Sequence, residues 1–227
     1  MTPRKPRALK AGTKTNILIV DDHPMMREGL RSVINRQPDM TVCGESENAR
    51  QAMHAVQKLS PDLALVDITL PGKNGLELVK DLKVLHPGLL ILAISLHDES
   101  LYAERMLRAG ASGYITKQQP PEELVNAIRQ VLNKGVYVSK EMSESLLRRF
   151  STQTRLHVSP TEALTDREFE IMHLFGEART PREIAHRLHL SPKTVAVHAA
   201  NIRRKLNLKT TSQMVRYAVQ WESLRPA

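Results

Sequence analysis

Short apolar runs alternate with helically spaced apolar positions through the first two thirds of the chain. Ile17–Val20, Met40–Gly44, the Leu63 run ending at Asp67, Leu89–Ile94 ending at Ser95, and Tyr114–Thr116 ending at Lys117 read as five strands. Between them, apolar residues recur at three- and four-residue intervals. Pro24 opens a helix with Met26, Leu30, Val33 and Ile34 on one side, and Gln37-Pro38 stops it. Asn48–Leu59 places Ala52, Ala55, Val56 and Leu59 on a stripe, and Gly75–Leu85 does the same with Leu78, Val79, Leu82 and Leu85. Glu99–Ala109, closed by Gly110, and the segment from Pro120-Pro121 through Leu132 are also predicted helical. Five strand–helix units in this length predict a parallel sheet covered by helices on both faces.

The pattern then changes. Val136–Phe150 is predicted to extend as a linker helix with Met142, Leu146, Leu147 and Phe150 as its stripe. Ser151–Glu162 loses periodicity and contains Ser159-Pro160. Four helix starts follow: Thr165 with Glu168 and Thr180 with Glu183 as capping boxes, Ser191-Pro192, and Thr210 with Gln213. Their shared core is expected to be Ile171, Leu174, Ile184, Leu188, Val195, Ile202, Leu206 and Val215, with His189-Leu190 as the tight connection of a helix-turn-helix. The domains read as a disordered basic tail (1–15), an α/β domain (16–138), a linker (139–162) and an all-α end (163–227).

Charge sharpens this division. The chain of 227 residues has a net charge of +9. Residues 1–15 carry +5, residues 16–138 carry −2 and residues 139–227 carry +6. The basic end is therefore the part expected to meet a polyanion. The single cysteine, Cys43, precludes an internal disulfide and reads as a small core residue, fitting a reducing, cytoplasmic setting. No run approaches the ~20 apolar residues of a membrane span, and the basic start lacks the apolar core of a secretory signal.

The chemistry gathers at strand ends. Asp21 and Asp22 follow the first strand, Asp67 ends the third, Ser95 the fourth and Lys117 follows the fifth. Open α/β sheets place their sites at that edge. Packed carboxylates repel unless a cation lies among them, and Mg²⁺ suits an all-oxygen set. An Asp carboxylate can act as nucleophile toward phosphorus, with Lys117 adding fixed positive charge. A Mg²⁺-dependent phosphatase would need a second acid two residues after the nucleophile, where Thr69 stands. A zinc site at His186 and His189 has no cysteine nearby to complete it.

The segments Ile17–Pro24, Leu65–Gly72, Ile94-Ser95 and Gly110–Lys117 resemble a response-regulator receiver domain over residues 16–138. Leu164–Glu168, Glu183–Ala185 and Ser191–Val195 with Lys205-Leu206 resemble the LuxR-type helix-turn-helix. Together they resemble the NarL/FixJ class of two-component transcriptional regulators. The resemblance implies a flavodoxin-like (βα)5 receiver and a four-helix DNA-binding domain. It implies Asp67 as phosphoacceptor, and Mg²⁺ held by Asp22, Asp67 and the main-chain carbonyl of Thr69, with Asp21 acting through water. Ser95 and Lys117 would take the phosphoryl group, and Tyr114 would change rotamer when Ser95 moves. Thr69 and His97 lie where dephosphorylation is tuned. The implied partners are a sensor histidine kinase donating from phosphohistidine, double-stranded DNA, RNA polymerase, and a second copy of the chain. The chain would catalyse only its own phosphoryl transfer and dephosphorylation. The last helix, Thr211–Trp221, carries Met214, Val215, Ala218 and Val219 as its apolar stripe. The resemblance implies that it pairs DNA-binding domains, with packing inside the monomer as the alternative and both compatible.

On a helical wheel, Val195, Ala199, Ile202 and Leu206 face the core, and Lys193, Val197, Ala200 and Arg204 face away. In a helix-turn-helix that outer face enters the major groove. The expected DNA contacts are Lys193, Thr194, Val197 and Ala200, with Arg203, Arg204 and Lys205 on phosphates. Ala196 and Ala200 stand where some family members carry polar residues, which shifts weight toward DNA shape and backbone contacts.

Overall fold

A computed structural model of the chain describes residues 14–96, 99–151 and 160–223. It divides into two compact units, residues 1–152 and 153–227. In the first, strands β1 (Thr15–Val20), β2 (Met40–Ser46), β3 (Leu63–Asp67), β4 (Leu90–Ser95) and β5 (Gly113–Thr116) form one parallel sheet in the order β2-β1-β3-β4-β5. The order reverses between β1 and β3, so the helices leaving those strands depart to opposite faces and open a crevice at their carboxyl ends.

Helices α1 (Pro24–Asn35) and α5 (Pro121–Leu132) cover one face. Helices α2 (Ala49–Leu59), α3 (Gly75–Leu85) and α4 (Glu99–Arg108) cover the other. The first face packs Leu30, Ile34, Leu124 and Ile128 onto Ile17, Ile19, Leu65 and Ile94. Every residue of β3 is buried, as a central strand clad on both sides requires. The second unit contains α7 (Asp166–Gly176), α8 (Pro181–Arg187), α9 (Pro192–Lys205) and α10 (Thr211–Ser223), preceded by a 3₁₀ turn at Pro160–Ala163. Both predicted capping boxes form, and Asn48, Asn74 and Ser191 each cap a helix through their side chains.

Several expectations need correction. Val136–Ser139 is not helical. Tyr137 is extended and pairs in parallel with Gly113, donating to the Ser112 carbonyl at 3.1 Å and accepting from the Tyr114 N–H at 2.8 Å. This backbone pairing, with the Tyr137 hydroxyl on Glu123 at 2.6 Å, outweighs the local helical pattern. The helix starts only at Lys140, as α6 (Lys140–Ser151), with Ser139 Oγ accepting from the Met142 N–H. Within α6, Met142 is buried but Leu147 is exposed, while the Leu146 and Phe150 side chains lie outside the described residues.

Cys43 is only half-buried. Ile17 pairs with Val42 and Leu18 with Gly44, so Cys43 is the extra residue of a bulge on an edge strand. Leu59, Leu85 and Val219 sit at the exposed margin of their stripes, and Val215 is half-buried while Met214 and Ala218 take the interior. The tail through residue 13, His97 and linker residues 152–159 lie outside the described residues. Among the described residues, no helix is long and apolar enough to cross a membrane.

Candidate functional site

The parallel register sets Asp21, Asp67, Ser95 and Lys117 on one rim. Each lies at or just beyond the carboxyl end of its strand, and β1, β3, β4 and β5 are consecutive neighbours. Gly75 allows this rim to close. A Cβ there would fall 2.0 Å from the Asp67 carbonyl oxygen, so the start of α3 approaches the end of β3 only without a side chain. The Gly75 N–H donates to the Ile68 carbonyl at 2.8 Å.

Lys117 is the centre of the cluster. Its side chain is 2% exposed, and its ammonium lies 2.7 Å from Asp21 Oδ2 and 2.7 Å from Asp67 Oδ2. Burial pulls the Lys117 ammonium down, but Asp67 and Asp21 outweigh it and hold it above its ordinary value. Burial pushes the Asp67 carboxyl up to about 6, against the pull of Lys117, and the Asp21 charge adds to the rise. Asp67 Oδ1 accepts from the Thr69 N–H at 3.1 Å.

Ser95 is fully buried, and its carbonyl accepts from the Lys117 N–H at 2.7 Å. Tyr114 is also fully buried on β5, two residues before the position paired with Ser95. Two groups at the rim escaped sequence reasoning. His23 puts Nδ1 2.7 Å from Asp22 Oδ1 and 3.3 Å from Asp21 Oδ1. Arg27, one turn along, donates from Nη1 to the Asp21 carbonyl at 2.7 Å. Its position on the apolar side of α1 was the available signal.

Oxygen atoms of Asp21, Asp22 and Asp67, with His23, lie within 4.8 Å of one another, and this is the metal-competent group found among the described residues. The carboxylates fit a hard divalent cation, since three acids converge here on the one buried ammonium of Lys117.

In the second unit, α9 buries Val195, Ala199 and Ile202 and exposes Lys193, Val197, Ala200 and Arg204, as its periodicity predicts, while Leu206, expected in the core, caps the helix end and is only half-buried. Thr194 is half-buried, and its hydroxyl lies 2.8 Å from Ser191 Oγ at the helix cap. Arg203 is half-buried. Lys205 departs from the expected set of phosphate contacts. Its ammonium donates to Glu168 Oε2 at 2.7 Å, the same oxygen that accepts from the Thr165 N–H at 2.8 Å. The helix end turns Lys205 inward, where an acid already buried by its capping role needs a cation. Burial raises the Glu168 carboxyl, but Lys205 and Thr165 outweigh it and hold it below the ordinary range. Nearby, Arg167 ties α7 to the helix-turn-helix corner, donating to Glu170 at 2.7 Å and to the Leu188 carbonyl at 2.8 Å.

Residues 17–129 match the response regulator receiver domain, and residues 162–218 match the bacterial regulatory proteins of the luxR family. The chain is 31% identical to the transcriptional regulatory protein DegU of Brevibacillus brevis, over 93% of this chain and 97% of DegU. The chain belongs to the response regulators of the receiver–LuxR class. This response regulator is also 34% identical to the nitrate/nitrite response regulator NarL of Escherichia coli, over 86% of this chain and 90% of NarL. RcsB of Salmonella enterica serovar Typhimurium, solved bound to promoter rprA with the phosphomimetic BeF3⁻, shares its architecture. The TM-score is 0.61 at 25% identity, over 91% of this chain and 99% of RcsB. The response regulator is therefore a phosphorylation-regulated, DNA-binding transcription regulator.

Proposed function

We propose that Asp67 accepts the phosphoryl group, and that Asp21, Asp22, Asp67 and the Thr69 carbonyl surround the Mg²⁺ that assists. The observation that carries this reading is the Lys117 ammonium, buried and shared between Asp21 and Asp67 at 2.7 Å each. An Asp67 oxygen attacks phosphorus, the P–N bond of a sensor kinase's phosphohistidine breaks, and its electron pair stays on the imidazole. Mg²⁺, when bound, supplies charge that offsets the phosphoryl oxygens. Lys117 then transfers its hydrogen bond from the Asp67 carboxylate to a phosphoryl oxygen, and the Ser95 hydroxyl donates to another. Tyr114, behind them on β5, responds to the Ser95 shift. Thr69 and the residue at position 97 set how fast water removes the phosphoryl group.

Residues 16–138 form the receiving domain, 139–162 the connection and 163–227 the DNA-reading domain. Lys193, Val197, Ala200 and Arg204 face the major groove, with Thr194 and Arg203 at its edge, and Lys205 is assigned to structure instead. The phosphorylated chain works in the cytoplasm as a homodimer on double-stranded DNA and engages RNA polymerase there. The test is acetyl phosphate with Mg²⁺, read on a phosphate-retarding gel. Wild type is expected to gain a slower band and Asp67→Asn none. An Asp67→Asn chain labelled at the wild-type rate would refute the assignment.

A further inference from the structure

Asp21 is held by its backbone as well as by its carboxylate. Its N–H donates to the Ser46 carbonyl at 3.0 Å, at the end of β2. Its carbonyl accepts from Arg27 Nη1 at 2.7 Å. Arg27 is 8% exposed, and its other donors are also engaged: Nε with Glu45 Oε2 at 3.2 Å and Nη2 with Glu47 Oε1 at 3.0 Å. Glu45 also meets Arg31 Nη1 at 3.4 Å. One guanidinium thus joins the turn carrying both acids to the residues ending and following β2.

The carbonyl that Arg27 grips belongs to the Asp21–Asp22 peptide. Rotation of that peptide plane would change the direction in which Asp22 leaves the turn. The carboxylate of Asp21 is separately fixed, since its Oδ1 accepts from the His23 N–H at 2.8 Å and its Oδ2 meets Lys117. The Asp22 carboxylate, one residue further along the turn, has its Oδ1 2.7 Å from His23 Nδ1. We infer that Arg27 is a positioning residue of the cation site, holding the Asp21–Asp22 peptide so that both carboxylates converge with Asp67. This rests on the reading of the acidic rim as a Mg²⁺ site. An arginine is required because each of its three nitrogens serves an acceptor on a different residue, and a planar fork reaches all three where an ammonium cannot hold the same geometry. Glu45 and Glu47 balance the guanidinium charge, so the fork does not repel an incoming cation.

Charge and positioning make opposite predictions, which makes the inference testable. Were Arg27 only a nearby positive charge, Arg27→Met would tighten Mg²⁺ binding and Arg27→Lys would leave it unchanged. As a positioning residue, both substitutions weaken it, by about tenfold, as is common for groups that orient metal ligands. Mg²⁺ binding to the full chain is measured by calorimetry, with Mn²⁺ paramagnetic resonance as a second readout. Arg31→Met, which touches Glu45 without touching Asp21, is expected to bind Mg²⁺ as wild type does. Acetyl phosphate labelling of Arg27→Lys should fall at low Mg²⁺ and recover at saturating Mg²⁺, which a general loss of packing would not give. If Arg27→Met does not fold, Arg27→Lys alone decides. Wild-type affinity in Arg27→Lys overturns the inference. A wild-type chain that binds no Mg²⁺ overturns the reading of the rim and this inference with it.

Discussion

Asp67→Asn should stabilise the cation-free receiver, although it removes a charged partner of Lys117. In the folded chain the Asp67 carboxyl is pushed from 3.8 to about 6, chiefly by burial. A group raised in the folded state stabilises fully below its unfolded value and loses that contribution as pH rises through the folded one. The window is therefore pH 3.8 to about 6. Roughly two pKa units at about 1.4 kcal/mol each give ~3 kcal/mol of destabilisation above pH 7. Asparagine removes that cost. It also gives up the ion pair with Lys117, which keeps Asp21 at 2.7 Å, so the net gain at pH 8 should be about 1–3 kcal/mol. Urea unfolding in EDTA, with hydrogen exchange of β1 and β3 peptides to isolate the receiver, measures it. The advantage should shrink toward zero near pH 4, and Mg²⁺ should narrow it at pH 8 by stabilising wild type alone. An asparagine variant less stable than wild type at pH 8 in EDTA, or an advantage indifferent to pH, would refute the reasoning.

Three further outcomes follow from particular contacts. Lys205→Met leaves Glu168 buried without its cation and should cost the C-terminal unit about 1–3 kcal/mol at neutral pH. Trp221, edge-on to Phe169 at 5.2 Å, is the fluorescent reporter. Because the Glu168 carboxyl is held low, that cost should be present above the ordinary carboxylate range and fade as pH falls through it. Gly75→Ala forces a methyl against the Asp67 carbonyl oxygen, a backbone atom that cannot step aside. About 3 kcal/mol of receiver stability and most acetyl phosphate labelling should be lost, read by urea unfolding and retardation gel. Lys193→Ala and Arg204→Ala should each lower the slope of log affinity against log salt on target DNA by about one, and Lys205→Ala should leave the slope unchanged.

What the sequence disclosed about the site was everything that depends on a residue's position along its own element. Asp21, Asp67, Ser95 and Lys117 could be placed on one rim because each ends an apolar strand, and parallel strands put all such ends on one side. Likewise, the outer face of α9 follows from a helical period alone. What stayed hidden depends on partners distant in sequence. Lys205 and Arg204 are adjacent basic residues in the last turn of α9, and nothing local separates them. Only the approach of α7, which brings Glu168 within 2.7 Å, makes one a structural cation and leaves the other exposed. Tyr137 illustrates the same limit for backbone. Its segment carries a helical pattern, but two hydrogen bonds to the edge of β5 and one from its hydroxyl to Glu123 hold it extended. Arg27 combines both cases. A charged residue among the apolar positions of α1 is unfavourable on periodicity alone, and its burial is explained only by three acceptors from the turn before it and the end of the neighbouring strand. A buried charge that breaks a helix's apolar stripe is thus a pointer to long-range function that sequence can flag without naming its partners.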